Sequence, residues 1–205
     1  MTAIRQEKTR QENTRQEKIR QEKVADFDAR EALLDRAYGP SRFTKTSQRL
    51  REERLPASGL SFVATDRAMI VGSVRLWDVC AGPGKPALLL GPLAVAPEHR
   101  SNGVGGKLMK QAIAAARMRG HGAILLIGDA PYYQRFGFSA QKTGSLWMLG
   151  AYDQHRLLGL ELQVGALDGA CGLIGATGRL APKPDLHELV AAATGAVKRP
   201  TSRAA

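Results

Sequence analysis

Apolar and polar positions along the chain change period several times, and each change marks an element. Ala29, Leu33, Leu34 and Ala37 recur at helical spacing behind Asp26 and Asp28, either of which can cap a helix, and Gly39-Pro40 ends the run. A second helical stretch is predicted from Thr46 to Arg54, stopped before Pro56. Leu60 to Thr65 alternates as a strand, Asp66-Arg67 turns, and Met69 to Val79 reads as its hairpin partner. After a turn at Ala81-Gly82-Pro83-Gly84, an apolar run from Leu88 to Val95 forms one buried strand, which Pro97 ends because proline lacks the N–H a ladder needs. Leu108, Ala112, Ala115 and Ala116 then give a helix lasting to Arg119. Ala123 to Ile127 is a further buried strand, parallel to the central one because a helix connects them. Ser145 to Leu149 and Arg156 to Val164 complete a mixed sheet, and a weak helix near Leu186 to Ala193 precedes a basic, unstructured end.

Residues 5 to 23 repeat a five-residue unit (RQEKT, RQENT, RQEKI, RQEK) that has no apolar face to bury. Residues 1–16 are therefore expected to be a disordered extension. The 205 residues otherwise suit one domain with a full core. No apolar stretch is long enough for a membrane span, and the charged start lacks the apolar region of a secretory signal, so a cytoplasmic location and no membrane contact are expected. Cys80 and Cys171 have no metal-binding or redox spacing, and no metal is expected. The net charge of +11 would suit nucleic acid, an anionic membrane surface or cofactor phosphates. Phe43 is the one aromatic residue interleaved in the basic stretches, fewer than a stacking platform needs, which disfavours nucleic acid.

Candidate chemistry lies between the central strand and the helix after it. Arg100-Ser101-Asn102-Gly103-Val104-Gly105-Gly106 joins them, and glycines without Cβ atoms let a ligand approach the backbone. The first N–H groups of the helix have no intrahelical partner and lie at its positive end, which favours phosphate. The turn is not a Walker loop, since Leu108 stands where Ser or Thr should follow Lys107. It is not the dinucleotide fingerprint either, because Leu108 replaces the third glycine.

With the preceding LAVAPEH, the pattern of Arg100, Gly103 and Gly105 resembles the pyrophosphate loop of the GNAT superfamily of acetyl-CoA-dependent N-acetyltransferases. Tyr133 with Gly137-Phe138 resembles the second signature of that family, in the subgroup with a Gly-Asp-x-x-Tyr-Tyr junction. The resemblance implies an α/β fold (α+β, mixed sheet) in a single domain whose central parallel strands splay apart. It makes Ile19-Arg20-Gln21-Glu22 the first strand, residues 17–165 the domain and residues 166–205 a partly disordered extension.

It further implies acetyl-CoA as co-substrate and a small-molecule or peptide amine as acceptor, with transfer in a ternary complex; a homodimer stays open. Amides of residues 101 to 106 (Ser101, Asn102, Gly103, Val104, Gly105 and Gly106) would hold the pyrophosphate, with Arg100 in support. Pro92 inside the strand predicts a bulge, and the backbone of Leu93, Ala94 and Val95 would pair with the pantetheine arm. The departing thiolate needs a proton, which the family's general-acid position assigns to Tyr133, with Tyr132 directed elsewhere about 100° around the helix. A base is needed for a lysine-type acceptor, whose deprotonation at pH 7 costs roughly 4–5 kcal/mol, and dispensable for a weakly basic amine. Glu98, His99, His121 and Asp129 are the candidates, and the sequence chooses none. Two rival readings share the fold: an acetyltransferase directed to aminoacyl-tRNA and a non-catalytic acyl-CoA-binding module.

Overall fold

The computed structural model describes residues 17–183; the repeat extension and the weak helix near residue 186 lie outside that range. Eleven elements follow one another: β1 Lys18–Gln21, α1 Phe27–Tyr38, β2 Ser61–Asp66, β3 Met69–Ala81, β4 Pro86–Val95, α2 Val104–Met118, β5 Ala123–Ile127, α3 Ala130–Tyr133, β6 Leu146–Trp147, β7 Leu157–Glu161 and β8 Gly172–Ala176. Neighbouring strands run in the order β1-β2-β3-β4-β5-β7, with β8 paired to β3 and to β6. All the pairs along that path are antiparallel except β4–β5. The sheet is therefore mixed, as the hairpin and crossover lengths predicted.

β3 is the spine. One of its edges carries β2 along the first half and β8 at Val79–Ala81, while the other carries β4. β4 and β5 are apolar at nearly every position because both faces are covered. Leu88, Leu90, Ile124 and Leu126 join the cluster that includes Leu33 and Leu34 of α1 and Leu108, Met109 and Ala112 of α2. Their alternates Ala87, Leu89, Ala123 and Leu125 enter a second cluster with Trp77, Leu146, Met148, Leu157 and Ile174. Period-two alternation thus divides one strand pair between two cores.

The pairing of β4 breaks where Pro92 predicted it. Val74 faces Leu93 and Leu76 faces Leu90, so β4 holds one more residue than β3 across this interval. The Trp77 indole donates to the Gly91 carbonyl at 2.6 Å and fixes the bulge from the β3 side. On its other edge β4 pairs with β5 only at Leu88 and Leu89. Beyond Leu89 the two parallel strands separate, and a gap opens between them.

Three expectations need correction. Thr46 to Arg54 is not a helix: a single 3₁₀ turn spans Thr46–Gln48, and Glu53 at φ 55° cannot continue a right-handed helix. The Ser145–Leu149 strand shrinks to Leu146–Trp147 and pairs in parallel with β8, outside the main path. The sheet also continues past residue 165, because Gly172–Ala176 supplies β8 to the second half of β3.

Ion pairs fasten the first strand. Arg20 holds Asp26 through two bonds of 2.6 and 2.8 Å, and the Lys23 amide donates to the same carboxylate at 2.7 Å. Glu22 accepts from Arg30 of α1 at 3.0 Å and from Arg75 of β3 at 2.8 Å. Arg20 and the Lys23 amide hold the Asp26 carboxyl down at about 2, despite the opposing effect of burial. Its stabilising contribution is complete above its ordinary value of 3.8 and is lost as pH falls through about 2. Asp26→Asn should therefore lower Tm at pH 7, and the difference from wild type should shrink between pH 4 and pH 2. Parallel melting curves against pH check this, and a difference constant across that window refutes it.

Candidate active site

The gap between β4 and β5 widens into a cavity of about 520 Å³. Leu89 to Val95 forms one wall, Ile127 to Asp129 with Tyr132 and Tyr133 the opposite one, and residues from Ala37 to Arg51 cover it. Each wall follows from the local sequence. β4 offers an edge without a strand partner beyond Leu89, and β5 ends at Ile127, from which Gly128 and Asp129 lead into the short helix α3.

Of the residues expected to form the site, Leu93, Ala94, Val95, Arg100, Gly105 and Tyr133 line this cavity. Arg100 donates to the Val95 carbonyl at 3.4 Å. Gly103, in the left-handed region at φ 80°, precedes α2, whose first bond runs from the Lys107 amide to the Gly103 carbonyl at 3.0 Å. The amides of Val104, Gly105 and Gly106 precede that bond and have no place in the helical ladder. The Val104 side chain is buried in the core, while Ser101, Asn102 and Gly103 form the exposed turn before the helix and Gly106 is half-buried. A Cβ built on Gly105 would stand 2.8 Å from the Tyr132 hydroxyl, so the space over the first turn is open only to a bare backbone.

Tyr132 does not point away. It lines the same cavity as Tyr133, with ring centroids 4.9 Å apart and planes at 80°. The 100° step between neighbours separates the two rings, but α3 has only four residues and lies along the cavity wall, so both directions meet it. Tyr133 also packs edge-on against Phe138 at 6.1 Å. Burial pushes its phenol well above the ordinary value of 10, so the proton stays on through the working range. A Cβ on Gly128 would fall 2.1 Å from the Tyr133 ring, a signal for this glycine that the sequence reading missed.

The four base candidates separate cleanly. Asp129 lines the cavity, and although it precedes α3 its side chain makes no capping bond. His99 is buried instead between Glu17, at 3.5 Å, and Asp66, at 3.9 Å. Glu98 is exposed and faces Arg36 at 3.4 Å, and His121 follows the end of α2; neither lines the cavity.

Tyr38 went unnoticed in the sequence. It closes one turn of α1, and its hydroxyl donates to the Leu93 carbonyl on the free edge of β4. Burial raises its pKa above the ordinary 10. Equally unforeseen are the cations: Arg42, Lys45, Arg51, Arg100 and Arg156 all line the cavity, with Asp129 as its only acid among the described residues.

The description "Acetyltransferase (GNAT) domain" matches residues 57–140 of the chain. The uncharacterized N-acetyltransferase YhbS of Escherichia coli K12 is 30% identical over 151 residues, covering 70% of this chain and 86% of YhbS. The chain belongs to the GNAT acetyltransferases. The uncharacterized N-acetyltransferase YjhQ of the same organism is 34% identical over 107 residues, which spans half of this chain and only 59% of YjhQ. The YhbS crystal structure, in complex with CoA, superposes with a TM-score of 0.67 at 27% identity over 78% of this chain and 89% of YhbS. A GNAT acetyltransferase from Brucella melitensis in complex with acetyl-CoA gives 0.54 at 26% identity over 82% of this chain and 96% of its own. This GNAT chain is accordingly an acetyl-CoA-dependent acyltransferase, and among the described residues no helix is long and apolar enough to cross a membrane.

Gly105→Glu should abolish CoA binding, measured by calorimetry, while Tm stays within a few degrees, since the one contact under 3 Å is the tip of Tyr132 and Val95 Cγ2 stands at an ordinary 3.6 Å. Binding at wild-type affinity would remove the phosphate end from this turn. Gly128→Ala should displace the Tyr133 ring and slow CoA release from acetyl-CoA at least tenfold; an unchanged rate would separate Tyr133 from the reaction.

Proposed function

We propose that the protein moves the acetyl group of acetyl-CoA directly onto a primary amine, both reactants occupying the cavity together. Bound acetyl-CoA supplies an acetyl thioester whose carbonyl carbon is open to an amine. Support for its placement comes from the residues themselves: bare helix-start amides at Val104–Gly106 suit a pyrophosphate, and Gly105 puts no Cβ between them and the Tyr132 hydroxyl. The unpaired edge of β4 at Leu93–Val95 suits the amide groups of an extended arm, as an added strand would.

Tyr133 stands across the gap from that edge. With its pKa raised by burial, the phenol keeps its proton and acts first as a hydrogen-bond donor toward the departing sulfur. A thiol near 8.5 is the stronger acid, so complete transfer from the phenol is uphill unless it is coupled to proton loss from the attacking nitrogen. The balance closes. The amine forms its bond to carbon and loses one proton, the carbon–sulfur bond breaks, and the sulfur gains one proton. Asp129, an exposed cavity carboxylate free of a capping bond, is placed to receive an ammonium and to take its proton.

The single observation carrying this reading is the meeting of Tyr133, Asp129 and the open edge of β4 in one cavity with the first turn of α2. Tyr133→Phe keeps the ring and should lower kcat at least tenfold with little change in the KM for acetyl-CoA, within the usual range of about 10²–10⁴ for a general acid. Equal kcat in wild type and variant would transfer the donor role to another group.

A further inference from the structure

The cations of the cavity come from separate elements. Arg100 stands beside the helix start and donates to the Val95 carbonyl. Lys45 and Arg51 come from the segment that covers the cavity, with Lys45 Nζ 4.3 Å over the ring of Tyr38. Leu50, between them in sequence, packs on the cluster of Trp77, Leu89 and Met148. Thr46 Oγ1 ties the same segment to the Ala151 carbonyl at 2.6 Å. Arg156 reaches the cavity from just before β7, where Leu157 pairs with Ile127, and donates to the Gly128 carbonyl at 3.4 Å. None of Lys45, Arg51 and Arg156 belongs to the helix start whose amides suit a pyrophosphate.

These charges lack counter-ions. Arg42 is matched by Glu31 at 2.5 Å and Asp35 at 2.8 Å, but no carboxylate lies within 4.0 Å of Lys45, Arg51 or Arg156 among the described residues. Arg51 is only 9% exposed, and its guanidinium meets just the Ser47 carbonyl and hydroxyl, both at 3.1 Å. Burial pushes Arg51 down to about 10, and burial with the nearby Arg51 and Arg156 charges lowers Lys45 as well. A buried cation without a partner is costly, and a guanidinium has five donors in a rigid fork suited to an oxyanion.

We propose that these uncompensated cations form an oxyanion subsite, so that the acceptor amine carries a carboxylate or phosphoryl group held by Lys45, Arg51 and Arg156. The proposal rests on the acetyl-transfer reading, because it gives these cations to the acceptor. Asp129, the one acid of the cavity among the described residues, would then take the amine of the same molecule.

Calorimetry on the CoA-saturated protein tests this without turnover. The probes are 4-aminobutyrate, 3-aminopropylphosphonate and butylamine. Both anionic amines should bind at least tenfold more tightly than butylamine, and the tighter of the two tells carboxylate from phosphoryl. Lys45→Gln and Arg156→Gln should each erode that preference at least threefold and leave the Kd for CoA unchanged; neither depends on the buried Arg51, whose loss could impair folding. Equal binding of the three probes, or none, overturns the subsite. Weaker CoA binding in both variants also overturns it, by giving the cations to the co-substrate's phosphates. Failure of the wild type to bind CoA at all would instead defeat the acetyl-transfer reading.

Discussion

One surplus residue in β4 shapes everything around the site. Because β4 holds one more residue than β3 between Leu90 and Leu93, its ladder is interrupted on that side, while on the other it parts from β5 after Leu89. On the β5 side the backbone groups beyond that point have no strand to pair with, and unpaired backbone polar groups need other partners. Tyr38 supplies one by donating to the Leu93 carbonyl, and the remaining open edge is what an extended ligand can use. The separation persists because both strands are pinned elsewhere. Leu88 and Ile124 sit in one core, Leu89 and Leu125 in the other, and Trp77 holds the Gly91 carbonyl. The cleft thus lies beside a bulge anchored between two cores.

Local pattern told much of this in advance. Pro92 announced the break, the glycine turn announced the helix start, and apolar runs announced β4 and β5, because each depends on residues adjacent in sequence. Where long-range packing decides, the pattern misled. Thr46 to Arg54 has a composition fit for a helix, yet Glu53 turns left-handed, and the segment is held through Leu50 and Thr46 to parts of the chain near residue 150. Gly172–Ala176 carries little apolar weight, so nothing local marks it as the partner of Val79–Ala81.

The site shows the same division. Tyr133 was legible from its spacing to Gly137-Phe138, but the placement of Tyr132 beside Gly105 follows from how α3 lies on the cavity, which no spacing encodes. His99, adjacent to the glycine turn in sequence, looked as eligible as Asp129. Folding buries it between Glu17 and Asp66 and leaves Asp129 alone facing the cavity. The cations come from three separated stretches, around residues 42 to 51, at 100 and at 156, so only the fold assembles them.

The pairing of β8 with β3 also bears on how the chain is made. Val79 and Ala176 are neighbours in the sheet but almost half the chain length apart in sequence. During synthesis from the N-terminus, β2, β3 and β4 emerge together and can pair at once, whereas the Val79–Ala81 edge waits until nearly the whole sheet has left the ribosome. Closing so long a loop is slow, and an uncovered apolar edge invites association in the meantime. Among the described residues the last strand to appear is therefore the one that seals the spine, and a nascent chain arrested before Gly172 would carry an open edge beside Trp77 and Val79.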